Sequence, residues 1–389
     1  METTTDRQER IDWWQQSVLM NAHLAVIGAG ALGNEVLKNL ALMGLGNLHI
    51  FDFDTVEVSN LSRTVLFSPE NLGAPKATIA AKRTKELNVN PKAAVHGHAL
   101  NVVWDVGAGF LRRMDIVLGC LDNLEARCIV GKHCYQFGIP YIDGGMRGLG
   151  GRVQLHLTGS GACMDCTIGS GERLAINNRY SCMHVMKSFQ AQNLMPTVQI
   201  TSALVAALMC QEAIKHLLGR PMRFGSVLSW SGEANDFDQL MLVRNPDCPT
   251  CSVPPVATML KTPLIPSDSV SNLIQTIGGV WNIELPSAFI VSLRCSNCGG
   301  HRDVLKPSFR CVDTELSCPT CQCADRIDLC SIEQIDKHTS ARILDLSLSQ
   351  LGFPRFAAIL ATDGDQSTLV ELSGDEAQLR QATEPRAAG

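Results

Sequence analysis

Apolar positions along the chain fall into two spacings, and the way these alternate predicts the fold. Short, mainly apolar runs at Leu24–Ile27, Leu48–Phe51, Met114–Gly119 and Pro140–Ile142 read as strands buried on both faces, the pattern of a parallel sheet. Between them the spacing changes to that of a helix. Leu32, Val36, Leu37, Leu40 and Ala41 lie on one helical stripe that Gly44 and Gly46 end. A second helix is expected from about Ala74 to Leu87, stopping before Asn88 and Pro91, a third over Leu124–Phe137, and a strongly apolar fourth over Thr201–Leu218, with Gly219 and Pro221 beyond it. A short helix is expected around Ile11–Leu19, and Gly150–Leu157 opens a more strand-rich half. This α/β alternation predicts a doubly wound, mainly parallel sheet.

The pattern breaks at 253–266, where Pro, Thr and Ser accumulate, and this stretch reads as a linker. It divides a first unit, residues 1–252, from a second module over 267–373. In the second module Ala341–Val370 reads as a small α/β tail, and residues 374–389 read as a disordered end. No internal repeat is apparent beyond recurring Cys-x-x-Cys pairs.

Composition narrows the class. With 389 residues, 45% hydrophobic content and a formal charge of −5, the chain reads as globular, with no basic footprint for nucleic acid. Met1–Leu19 is too polar for a signal peptide, and the apolar stretch around Ile200–Cys210 is too short to span a bilayer, so a cytoplasmic protein with no membrane partner is expected. In that compartment sixteen cysteines, eight of them in four Cys-x-x-Cys pairs, point to metal ligands or reactive thiols rather than disulfides.

The chemistry gathers where strands end. Gly28, Gly30 and Gly33 follow the first strand and open a helix, a spacing that permits a tight turn, close backbone approach to phosphate and free N–H groups facing an anion. Asp52 ends the second strand, where a carboxylate can accept hydrogen bonds from a ribose. Asp54, Asn60 and Arg63 follow in one loop, Lys76 falls in the first turn of the next helix, and Asp122, Asn123 and Arg127 follow the strand ending at Gly119. Arg127 could simply pair with Asp122 or with a neighbour on its own helix turn. Cys163, Cys166, Cys248 and Cys251 could complete a tetrahedral zinc site if the fold brings the two pairs together. Cys295, Cys298, Cys318 and Cys321 have the spacing of a compact zinc ribbon, with Cys311, Cys323 and Cys330 as nearby competitors.

Taken together, GAGALG at Gly28–Gly33, DFDTVEVSNLSR at Asp52–Arg63, PKA at Pro75–Ala77, LDNLEAR at Leu121–Arg127 and the first two cysteine pairs resemble the ThiF/MoeB adenylyltransferases and the E1 enzymes that activate ubiquitin-like proteins. The resemblance runs from about Arg10 to Cys251. It implies a homodimer that uses Mg-ATP to adenylate the C-terminal glycine of a ubiquitin-like protein. Arg63 and Lys76 would neutralise the triphosphate, Asp122 would hold Mg²⁺, Asp52 would bind the ribose, and Asn60 would help position the phosphates. Asp54 is the nearest rival for the ribose, better placed for Mg²⁺ or loop structure. Arg10 or Arg7 resembles an arginine that such dimers lend across their interface. One structural zinc is implied at the first two cysteine pairs, and a second is expected at the ribbon.

Cys182, in NNRYSCMHVMKSF, is the candidate nucleophile. It lies in a loop at about 167–198 where the family places its acyl-accepting cysteine, and Arg179, His184 and Lys187 could lower its pKa. The proline that follows the cysteine in the best-known E1 pattern is missing, as is a large inserted cysteine domain. Cys120, Cys128, Cys134 and Cys210 read as small core residues. With the extra C-terminal module, the arrangement resembles compact bacterial E1 enzymes encoded beside an E2-like protein and a deubiquitinase-like peptidase, as in Bil antiphage operons, which implies thioester transfer to an E2-like partner. The alternative is a sulfur-carrier adenylyltransferase without an obligatory thioester.

Overall fold

The computed structural model describes residues 4–169, 171–172, 198–252, 254–279, 281–324, 326–364 and 366–374. Its larger sheet has eight strands: β1 (His23–Ile27), β2 (Asn47–Phe51), β3 (Ala94–His98), β4 (Ile116–Gly119), β5 (Tyr141–Arg147), β6 (Gly150–His156), β7 (Ser226–Ser231) and β8 (Asp236–Met241). Their spatial order is β3-β2-β1-β4-β5-β6-β7-β8. The first five run parallel, and from β5 onward each pairing is antiparallel. The chain moves outward from β1 to β3, then returns to the other side of β1 with β4. That reversal creates a crevice at the carboxyl ends of β1 and β4, where ligands bind in doubly wound sheets.

The mainly apolar character of the strands follows from burial on both faces. Along β1, Leu24 and Val26 enter one core, while Ala25 and Ile27 enter the other. The first core is covered by α3 (Ala31–Leu42), which follows the short helices α1 (Asp6–Glu9) and α2 (Gln16–Asn21), and by α7 (Gln199–Leu217). α4 (Lys76–Leu87) adds Ala80 and Ala81 to it. The second core is covered by α5 (Ala108–Leu111) and α6 (Leu124–Phe137). The helix expected at Ile11–Leu19 forms instead as α2, where Leu19 is buried. Trp14 stays outside it and donates its indole N–H to Gln16 Oε1 at 3.0 Å.

Strands within residues 259–372 form a second sheet. Its strands are β9 (Met259–Thr262), β10 (Asn282–Cys295), β11 (His301–Pro307), β12 (Ile327–Ile335), β13 (Ala358–Asp363) and β14 (Gln366–Leu372). β9 falls inside the stretch read as a linker and pairs in parallel with β14, through Leu369↔Met259 to Leu372↔Thr262. Prolines at 254, 255, 263 and 266 flank this four-residue strand and hide its pattern. The Ala341–Val370 tail is mainly a β13–β14 hairpin, with only the single-turn α9 (Ala341–Leu344) as helix after α8 (Val270–Ile277).

The two sheets are clasped through α5. Glu371 is fully buried and meets the guanidinium groups of Arg112 at 2.7 Å and Arg113 at 2.8 Å. The amides of Gly107 and Gly109 donate to Arg355 O and Phe356 O. Trp104 stacks on Phe309, with centroids 4.1 Å apart. Among the described residues, no helix is long and apolar enough to cross a membrane.

Candidate active site and metal centres

The site is built on the contact between the ends of β1 and β4. Gly28 has φ +97°, and a Cβ there would lie 2.5 Å from Cys120 O. Gly33 is equally constrained, since a Cβ would meet Gly28 O at 2.0 Å. Both glycines are therefore required by packing, whereas Gly30 has open space beside it at the N-cap of α3. The first turn of α3 thus begins at an uncrowded backbone whose unpaired amides suit an anion.

Asp52 is tied to this turn. Its carboxylate accepts the Ala29 amide at 2.7 Å and the Asp54 amide at 2.9 Å. Burial pushes its pKa up, opposed by these two amide bonds and by Lys76. Two residues on, Asp54 Oδ2 lies 2.9 Å from Lys76 Nζ, and its carbonyl accepts the Lys76 amide at 2.9 Å. Lys76 is buried in the first turn of α4, while the Asp54 side chain is 53% exposed. The lysine is held at the sheet edge by a partner that an incoming phosphate can compete with.

The connecting loop is ordered by its own hydrogen bonds. Asn60 Oδ1 accepts the Glu57 amide at 3.0 Å, closing a short 3₁₀ turn, and Arg63 donates to Ser59 O at 2.7 Å. Asp122 is exposed in the turn after β4, and Asn123 caps α6 by accepting the Ala126 amide at 2.8 Å. Arg127 pairs with neither Asp122 nor a helix neighbour. It lies 2.9 Å from the fully buried Asp143 of β5 and also donates to Leu121 O and Gly144 O. Tyr141 donates to the other Asp143 oxygen at 3.0 Å, so this is a structural ion pair beneath the Asp122 turn.

One contributor was not singled out by the motifs. Asn34, in the first turn of α3, is fully buried, and its amide spans the glycine turn and the loop that follows Arg63. Its sequence signal is a polar residue next to Gly33, between Leu32 and Val36 of the apolar stripe.

The N-terminal arginines are both exposed, and Arg10 lies 2.6 Å from Asp6 on the same turn. Cys182, with Arg179, His184 and Lys187, lies outside the described residues. Cys120, Cys134 and Cys210 are buried, and burial pushes all three thiols up, Cys210 to about 12. This disfavours the nucleophilic thiolate.

The first two cysteine pairs meet. Cys163 Sγ is 3.8 Å from Cys166 and 3.5 Å from Cys248, and Cys166 is 3.3 Å from Cys251. These separations are near the roughly 3.8 Å edge of a tetrahedron with 2.3 Å zinc–sulfur bonds. The four thiols are a zinc-type donor set, and the Asn245 amide donates to Cys166 Sγ at 3.4 Å as outer-shell support. Cys295, Cys298, Cys318 and Cys321 form a second cluster, with sulfurs within 4.8 Å of one another. Cys323 crowds it, 3.3 Å from Cys295 and 3.4 Å from Cys321. Both clusters fit Zn²⁺ by ligand chemistry, the first buried and the second partly exposed.

Residues 6–250 match the ThiF family. The chain belongs to the ThiF family. Every element of the crevice and the first cysteine cluster, up to Cys248, falls within that match, while Cys251 lies one residue beyond it and the second sheet follows. Over 250 residues this ThiF-family chain is 31% identical to the sulfur carrier protein adenylyltransferase of Thermus thermophilus, covering 62% of this chain and 86% of the relative. It is 28% identical over 252 residues to ubiquitin-like modifier-activating enzyme 5 of Dictyostelium discoideum, covering 59% of this chain and 61% of that protein. The SUMO-activating enzyme subunit 2 of the same organism is 34% identical over 148 residues, but only 22% of its length is spanned. Among solved structures, E. coli MccB with MccA shares the fold, with a TM-score of 0.54, 23% identity and coverage of 65% of this chain and 75% of that one.

Proposed function

We propose that this ThiF-family protein is an adenylyltransferase that activates the C-terminal glycine carboxylate of a ubiquitin-like protein. The observation that carries the proposal is the convergence, at the β1/β4 crevice, of an uncrowded glycine turn, a ribose-type carboxylate at Asp52 and a buried lysine, Lys76, at the same sheet edge. A dinucleotide site would account for the first two features, whereas cations beside them suit a triphosphate.

In this reading a carboxylate oxygen of the carrier attacks the α-phosphorus of ATP. The bond to the bridging oxygen breaks, pyrophosphate leaves with that electron pair, and an acyl adenylate remains. The main obstacle is repulsion between two anions, so cations and fixed geometry supply the catalysis. Lys76 leaves Asp54 for a phosphate oxygen, Arg63 adds a second cation, and Asp52 holds the ribose. The first-turn amides of α3 cradle phosphate, with Asn60 keeping the loop in shape. Asp122 would hold Mg²⁺ with help from Asn123 or Asp54, and when bound the ion supplies further charge neutralisation on the phosphates. Arg10 would complete the site across a homodimer.

The reading extends to an E1 reaction. The Cys182 thiolate attacks the acyl carbon, AMP departs, and the resulting thioester passes to an E2-like partner. The second sheet with its cysteine cluster is then the surface such a partner would use. A second reading, sulfur-carrier adenylation without thioester formation, is favoured by the extent of the match to the Thermus protein, which spans 86% of that relative. The test is pyrophosphate exchange into ATP with small glycine-ending carriers, followed by gel analysis with and without reductant. Exchange establishes adenylation, a reductant-sensitive adduct lost in Cys182→Ala establishes the E1 reaction, and exchange without an adduct favours the sulfur-carrier reading.

A further inference from the structure

Asn34 makes three hydrogen bonds while fully buried. Its Nδ2 donates to Ala29 O at 2.7 Å and to Gly30 O at 3.1 Å, and its Oδ1 accepts the Leu66 amide at 2.9 Å. The amide orientation follows from these partners, because two carbonyls require a donor and an N–H requires an acceptor. One side chain therefore bonds both to the glycine turn and to the strand of loop three residues after Arg63.

That second attachment matters because the other hydrogen bonds around Arg63 are internal to the loop, whose further anchorage is the apolar packing of Val56, Leu61, Leu66 and Phe67 on the first core. Arg63 bonds back to Ser59 O, its amide bonds to Asn60 O, and Thr64 Oγ1 also bonds to Asn60 O, all within the loop itself. Leu66 is buried in the first core, and its amide is the one Asn34 accepts. The next residue, Glu35, is also buried and accepts Gln199 Nε2 at 2.9 Å, which leaves Asn34 as the α3 side chain committed to the loop.

We infer that Asn34 is a positioning residue that holds the Arg63 loop against the glycine turn, so that the arginine meets a triphosphate bound at that turn. This rests on the adenylation reading above. Asn34 touches no reacting atom in this account. It acts through Arg63, and its loss should weaken contacts to the outer phosphates more than those made by Asp52.

Calorimetry with Mg-ATP and with AMP tests the inference on the full-length protein, using wild type, Asn34→Ala, Arg63→Ala and the double variant. Asn34→Leu keeps the side-chain branch and heavy-atom count while removing all three hydrogen bonds, and replaces the alanine variant if thermal melting shows that one unfolded. The expected result is Mg-ATP affinity lowered about tenfold in each single variant, the size of one lost charge-assisted contact, with AMP affinity within about twofold of wild type. The double variant should bind Mg-ATP no more weakly than Arg63→Ala. Wild-type affinity in the Asn34 variants, parallel loss of AMP binding, or losses that multiply in the double variant would each overturn the inference. Failure of wild type to bind Mg-ATP at all would instead sink the adenylation reading.

Discussion

Lys76 and Asp54 are joined twice, by an ammonium–carboxylate contact of 2.9 Å and by a backbone hydrogen bond of 2.9 Å from the lysine amide to the aspartate carbonyl. The backbone bond fixes where α4 begins, and the side-chain bond fixes where the ammonium rests. Removing the ammonium leaves the first intact. Asp54 is half-exposed and can be rehydrated, so Lys76→Met should change unfolding free energy by about 1 kcal/mol or less. Pyrophosphate exchange should fall about 10²- to 10³-fold, the usual loss when a charge-stabilising group leaves an active site. Denaturant melts and exchange rates on the same samples check both.

Arg127 predicts the opposite pattern. Its partner Asp143 is fully buried, and Arg127→Met strands that carboxylate without its cation. The expected cost is about 3–5 kcal/mol, read as a lower urea midpoint, and Asp143→Asn in the same background should recover part of it. An unchanged midpoint in Arg127→Met would show that the pair does not hold β5 to α6.

Acid should destabilise the protein through its buried and half-buried histidines. His49, His96 and His98 stack between β2 and β3, with His49 Nδ1 3.1 Å from His98 Nε2. Burial, followed by neighbouring histidines, lowers His49 to about 2 and His98 to about 4, and burial followed by Lys132 lowers His133 to about 4. Each therefore stays neutral in the folded chain while the unfolded chain takes up a proton below its ordinary value near 6.5. Their contribution is fully present above about pH 6.5 and is lost as pH falls toward 4, by about 1.4 kcal/mol per pH unit for each group. In a series of melts from pH 7 to 5, His98→Phe should flatten that slope.

The motifs at the ends of β1 and β2 were legible because their geometry is local. A glycine that opens a helix and an aspartate that ends a strand declare their positions within a few residues. Arg127 shows the limit. Its sequence neighbourhood offers Asp122 and its own helix turn, while its actual partner sits on the next strand and is visible only once β4 and β5 are paired. Asn34 and Glu371 were hidden for the same reason, since each bonds to a segment that only the tertiary fold brings near. β9 was missed on different grounds: four residues between prolines are too few to show a period.

The two chemical steps should separate at Cys182. Cys182→Ala should keep carrier-dependent pyrophosphate exchange within about twofold, because adenylation precedes the thiol's attack, and should lose any reductant-sensitive adduct. An adduct that survives the substitution would place the nucleophile elsewhere.

In the proposed reaction the β1/β4 crevice breaks ATP between its α- and β-phosphates, and Asp122 is the most direct handle on it. The residue is exposed at the sheet edge, so Asp122→Ala should leave melting and zinc content unchanged. Radiolabelled pyrophosphate exchange into ATP, measured with a glycine-ending carrier and Mg²⁺, should be robust in wild type and fall by at least about 10²-fold in Asp122→Ala. Exchange retained by the variant, or missing from the wild type with every such carrier, would contradict the account.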